Sequence, residues 1–152
     1  MNSEKLREEI EIELDYMKQT ISEIHLLLPS IKGEEPTNVE KTAAGAFISQ
    51  IYSGIEKILL RICKYRGVKI PTGQNWHVEL LKKFCDPPQN NLPLLIDKDL
   101  EEILTPFRKF RHYFLHGYAI QIDTKLLIPG LVNSDKVHTK FADNVKQFLS
   151  SA

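Results

Sequence analysis

A chain of 152 residues has the size of one domain with its own core, spanning 1–152. Lys+Arg and Asp+Glu balance at 20 each, so no global positive field draws in nucleic acid, and any electrostatic recognition must be local or assembled from two subunits. No apolar run approaches the roughly 20 residues of a membrane span, the first thirteen residues are acidic where a signal peptide would be basic and apolar, and Cys63 and Cys85 have neither metal-ligand spacing nor a disulfide framework, so the expectation is a cytoplasmic protein.

Leu6, Ile10, Leu14, Met17, Ile21, Ile24 and Leu28 recur at spacings of four and three, which predicts a long first helix with a narrow apolar stripe, ending near Pro29. After a loop through Gly33 and Pro36, Thr37 and Glu40 have capping-box spacing, where hydroxyl and carboxylate satisfy orphan backbone donors reciprocally. The second helix then runs to about Tyr65, stopped by Gly67, with Phe47, Ile51, Ile55, Ile58, Leu59 and Ile62 on its core face. The small residues Ala43 to Ala46 at its start would let another helix approach closely. A turn-rich stretch follows, then a short helix around His77 to Phe84 and a loop at 86–93, where Pro87, Pro88 and Pro93 exclude helix.

Asp97 or Asp99 can cap a fourth helix that buries Leu100, Ile103, Leu104, Phe107, Phe110 and Phe114. Pro106 interrupts it, as a kink or as a restart capped by Thr105. A loop at Pro129-Gly130 precedes a C-terminal helix with Val137, Phe141, Val145 and Phe148 on its stripe. No segment alternates as a strand does. The expected fold is an all-α bundle of four to five main helices.

The end of the fourth helix carries the densest chemistry: Arg111-His112-Tyr113-Phe114-Leu115-His116-Gly117-Tyr118. Arginine holds a phosphate through a rigid fork of donors, and histidine moves protons near neutral pH. Together these suffice to cleave RNA without a metal. With five arginines and five histidines in the chain, Arg-x4-His arises by chance roughly 0.16 times; a tyrosine two residues further on lowers that to roughly 0.005. At ~100° per residue, Arg111 and His116 lie about 140° apart on an ideal helix, whereas His112 and His116 share a face. One subunit would then present arginine and histidine poorly to one phosphate, and two subunits with these helix ends facing each other would place both around one cleft.

Arg111-x4-His116-x-Tyr118 resembles the signature of the HEPN superfamily, specifically the HepT-like toxins of HepT–MntA toxin–antitoxin pairs. The segment from Ala44 to Gly67 resembles that family's second helix, Trp76-His77-Val78-Glu79-Leu80-Leu81 its connector, and Phe107 to His112 the entry to its active segment. The resemblance implies a dimerising antiparallel helical bundle whose paired motifs form a composite, metal-independent ribonuclease site. In that reading the ribose 2′-hydroxyl attacks the adjacent phosphate. His116 is the general base or acid, Arg111 stabilises charge on the phosphoryl oxygens, and His112 orients the phosphate or His116. Tyr118 matches the tyrosine that a partner nucleotidyltransferase antitoxin modifies with AMP. The resemblance implies no cofactor.

Plainer readings stand beside these. Arg111 can be an ion-pair partner of a core-facing acid such as Glu56, which reads as an orienting partner and not a catalytic acid. His116 can be a cap, and Tyr118 can pack its ring and expose its hydroxyl. His112 and His116 form an i, i+4 pair that could bind zinc, without an evident third ligand, so no metal site is expected. Arg108 and Lys109 are a solvated basic edge able to hold an RNA backbone. His77, beside Trp76, ties the connector to the bundle, and His25 and His138 lie at the surface or boundary. The alternative function is a non-catalytic HEPN-type interaction module that binds a nucleotidyltransferase or RNA without cutting.

Overall fold

The computed structural model describes residues 2–31, 35–118 and 121–152, with Tyr113 and Leu115 described by their backbone alone. Gly33, which the sequence places in the first loop, lies outside the described residues. Helix α1 spans Ser3–Ile31 and buries Leu6, Ile10, Leu14, Met17, Ile21 and Ile24 as its stripe requires. It runs past Pro29, where the sequence placed its end. Proline at that position removes only the N–H that would reach back one turn, and burial of Ile31 in the added turn offsets the loss.

Helix α2, Asn38–Arg66, begins with the expected capping box. The Glu40 N–H donates to Thr37 Oγ1 at 3.1 Å, and the Thr37 N–H donates to Glu40 Oε1 at 2.8 Å. It ends where Gly67 adopts a left-handed φ of 68°, a conformation glycine takes without a Cβ penalty. This helix is the hub of the bundle and contacts each of the other five. It packs closely on α1 at Gly54, where a Cβ would stand 2.7 Å from Met17 Cγ. Among the small residues near its start, Gly45 leaves room for the side chains of Phe114 and Ile122.

Helix α3 spans Trp76–Lys82. The Phe84 carbonyl then accepts the N–H groups of Leu95 at 3.1 Å and Ile96 at 3.0 Å, which closes the proline-rich 86–93 segment as a loop. Helix α4 covers Lys98–His116. Asp97 is its cap, accepting the Leu100 N–H at 2.8 Å, while Asp99 pairs with Lys136 and Lys140 instead. Of the two alternatives the sequence left at Pro106, the restart does not occur: α4 continues through the proline. The Thr105 hydroxyl donates back to the Glu101 carbonyl at 3.1 Å, as a mid-helix residue does. The carbonyl that loses its partner to the proline belongs to Glu102, an exposed residue that water can reach.

Helices α5, Thr124–Val132, and α6, Ser134–Ser151, complete the bundle. Pro129 and Gly130 lie inside α5, not in the loop expected from the sequence. Asp123 caps this helix through the Lys125 N–H at 2.9 Å. Gly130 is helical because it lets α5 press inward: a Cβ there would stand 3.0 Å from Ile48 Cδ1 and 3.6 Å from Phe110 Cε2. His25 pairs with Asp135 at 2.6 Å, and His138 Nε2 lies 3.2 Å from the Leu14 carbonyl, so both histidines tie α1 to α6. The described residues form an all-helical bundle around one apolar core to which all six helices contribute. None of these helices is long and apolar enough to cross a membrane.

Candidate active site

On α2, Tyr52 and Glu56 sit one turn apart, so both face the same side of the helix. Glu56 is only 4% exposed. A buried carboxylate stays charged only if partners replace the water it has lost. Two do so. Glu56 Oε1 forms an ion pair with Arg111 Nε of α4 at 3.3 Å, and Oε2 contacts Nδ1 of His77, in the first turn of α3. Arg111 Nη1 in turn lies 3.1 Å from His77 Nε2. Three helices thus each supply one side chain to a closed ring of polar contacts, with the Trp76 ring packed at a 3.5 Å centroid distance from the imidazole.

This ring forms part of the wall of a cleft of about 930 Å³. Arg108, Lys109, Arg111, His77, His112 and His116 all line it, and none of the described residues that line it is a carboxylate. A chain of zero net charge therefore holds a locally basic cavity, with the Glu56 carboxylate buried against two of its lining residues, Arg111 and His77. The angular separation expected for Arg111 and His116 does not keep them apart: one subunit brings both to the same cleft. Helix α4 stays helical through His116, the arginine's length carries its guanidinium sideways onto Glu56, and His112 and His116 stand with ring centroids 5.0 Å apart. Among the described residues no group of three or more His, Cys, Asp or Glu is arranged to hold a metal ion.

Arg111 also borders a second groove of about 610 Å³, between α1, α2 and α4, where Tyr16, Phe47 and Phe114 stand. Tyr16 is 60% and Phe114 39% exposed. Tyr118 follows the bend after α4, with its N–H donating to Gln121 Oε1 at 3.0 Å. Its side chain is 78% exposed and lies beyond the cleft rather than in its wall.

The ion pair anticipated between Arg111 and Glu56 is present. His77 ties the connector to the bundle as expected, through Glu56 and Arg111, and it also lines the cleft. Tyr52 was not anticipated at all. Burial, and then the nearby Glu56 charge, push its phenol up from the ordinary tyrosine range, and its hydroxyl meets no hydrogen-bond partner. Two polar residues one turn apart on an otherwise apolar helix face, Tyr52 and Glu56, are the signal that could have located this wall from sequence.

A family model described as HepT-like protein matches residues 43–152. That span takes in most of α2, the connector helix and the whole of the octamer, and so every residue of the Glu56–His77–Arg111 ring. No curated protein and no solved structure gives a significant match. The match covers well over half of the chain: it belongs to the family of HepT-like proteins.

Proposed function

We propose that the protein is a metal-independent endoribonuclease toxin that works as a homodimer and is silenced by a nucleotidyltransferase antitoxin. The observation that carries this reading is the basic cleft, where Arg111, His112 and His116 stand together with Arg108 and Lys109 and without a carboxylate among the described residues that line it. A phosphodiester is an anion, and this is the part of the surface built to receive one.

In the proposed reaction His116 takes the proton of the ribose 2′-hydroxyl, whose oxygen attacks the adjacent phosphorus. The bond to the 5′-oxygen breaks, and that oxygen receives a proton from the second acid–base group of the dimeric site. The products are a 2′,3′-cyclic phosphate and a 5′-hydroxyl. Arg111 stabilises the charge that builds on the phosphoryl oxygens, and His112 orients the phosphate or His116. Arg108 and Lys109 hold neighbouring phosphates of the strand. The Tyr16–Phe47–Phe114 groove beside Arg111 supports pairing, because a partner seated on the exposed Tyr16 and Phe114 would sit next to the cleft.

Tyr118 is exposed enough for a modifying enzyme to reach. AMP on its hydroxyl would add phosphate charge close to His116 and repel the RNA backbone. The test is RNA cleavage by the purified protein in EDTA. Cleavage that disappears in His116→Ala is expected; full activity in that variant would remove His116 from the mechanism. Binding without products across several RNAs would favour a non-catalytic module.

A further inference from the structure

We infer that His77 is a positioning residue for Arg111, held by Glu56 as the neutral tautomer protonated on Nδ1, so that the guanidinium is set for a phosphate before RNA arrives. This rests on the ribonuclease reading above for its purpose, but not for its geometry.

The tautomer follows from which partners can donate. A guanidinium has five N–H donors and no acceptor. Arg111 Nη1 lies 3.1 Å from His77 Nε2, so that nitrogen must offer its lone pair. A carboxylate only accepts, so Nδ1, which faces Glu56 Oε2, must carry the hydrogen. Both ends of the ring demand the same proton placement. Turning the imidazole over would set carbon atoms against both partners, and a second proton would set Nε2–H against the guanidinium. Trp76 covers the ring and helps fix its plane.

The consequence falls on Arg111. Its Nε is ion-paired with the Glu56 carboxylate at 3.3 Å and one Nη1–H is taken by His77. Two anchors on different atoms define the plane of the fork, leaving Nη2 and the other Nη1 hydrogen for an incoming phosphate. Glu56 alone would hold the charge yet let the guanidinium rotate about that contact. His77 removes this freedom, and it does so from the wall of the same cleft. Donors fixed before the reaction stabilise developing charge better than donors that must first be ordered.

Two variants of the full chain separate the roles, because asparagine mimics Nδ1 and glutamine mimics Nε2. His77→Gln keeps an acceptor for Arg111 and is expected to retain kcat within a few-fold. His77→Asn keeps the contact to Glu56, loses the acceptor, and is expected to lower kcat about 10–100-fold with KM little changed. Nitrogen-15 NMR gives a readout independent of RNA: His77 should show the Nδ1–H tautomer near neutral pH, and the Arg111 Nε–H resonance should broaden in His77→Asn but not in His77→Gln. A wild-type Nε2–H tautomer overturns the inference without any variant. Loss of activity in both variants with the Arg111 resonance unchanged also overturns it, and makes His77 a proton-transfer group instead. A wild-type protein that cleaves no RNA but shows the tautomer and the Arg111 response refutes the nuclease reading and supports the positioning role.

Discussion

Glu56→Ala is the perturbation whose size follows most directly from the structure. The carboxylate is 4% exposed and serves Arg111 and His77 at once. Breaking one side of a fully buried ion pair costs about 3–5 kcal/mol, because the remaining charge is stranded. Here the stranded side chains, Arg111 at 22% and His77 at 24% exposed, can draw in water, which reduces the loss to about 2–3 kcal/mol. In a chain of this size each kcal/mol moves the midpoint by roughly 2–4 °C, so Tm should fall by about 4–12 °C. Glu56→Gln keeps the volume but turns one acceptor into a donor, so it should fall between the two proteins. Thermal unfolding followed by far-ultraviolet circular dichroism measures all three under one condition. A Glu56→Ala midpoint within about 1 °C of the wild type would refute the claim that a buried, ionised Glu56 anchors the ring.

Three further predictions concern packing and burial. Gly54→Ala places a Cβ 2.7 Å from Met17 Cγ, so overpacking of about 1–3 kcal/mol should exceed the roughly 1 kcal/mol gained in helix propensity and lower Tm. Gly45→Ala meets the tip of Ile122 at 3.2 Å and Phe114 Cδ2 at an ordinary contact distance of 3.5 Å, and should be neutral or stabilising in the same assay; equal losses at both sites would contradict the helix spacing. Tyr52→Phe removes a buried, unpartnered hydroxyl and should raise stability by about 1 kcal/mol in urea unfolding; a clear loss would mean that the hydroxyl has a partner. Burial, and then the hydrogen bond and charge of Glu101, push the Cys85 thiol up to about 12 from an ordinary 9.0. Iodoacetamide at pH 8 should therefore leave Cys85 unlabelled until the chain is unfolded. The same shift means that the Cys85 contribution to stability is intact below pH 9 and is lost progressively as pH rises from 9 to about 12, because the unfolded thiol ionises first. Rapid labelling of the native protein would show that this site is open.

The parts of the fold legible in the sequence are those governed by local chemistry. The Thr37–Glu40 box, the Gly67 stop and the stripe of α1 depend on residues within a turn or two of each other, and all three stand in the structure. Proline misled at one place, where Pro129 and Gly130 lie inside α5: the turn that carries them is packed against the core, and a local signal cannot report that packing. The site divides in the same way. The octamer announced Arg111, His112 and His116 through spacing, and Glu56 could be named as a partner for Arg111 from its place on the second helix. His77 could not be assigned to the cleft, since 34 residues separate it from Arg111 and only the crossing of α3 over α2 and α4 brings them together. The angle between Arg111 and His116 was sound as helix geometry but ignored how far an arginine reaches.

The central claim is that this cleft cleaves RNA by attack of the ribose 2′-hydroxyl. It is tested most directly with a short RNA that the protein cuts in EDTA and its twin bearing a single 2′-deoxy sugar at the cut site, the products being read by mass spectrometry. The account predicts a 2′,3′-cyclic phosphate from the first, no cut at that position in the second, and no product from either with Arg111→Ala or His116→Ala. Cleavage of the deoxy substrate at the same bond, or products ending in a 3′-hydroxyl and a 5′-phosphate, would contradict it.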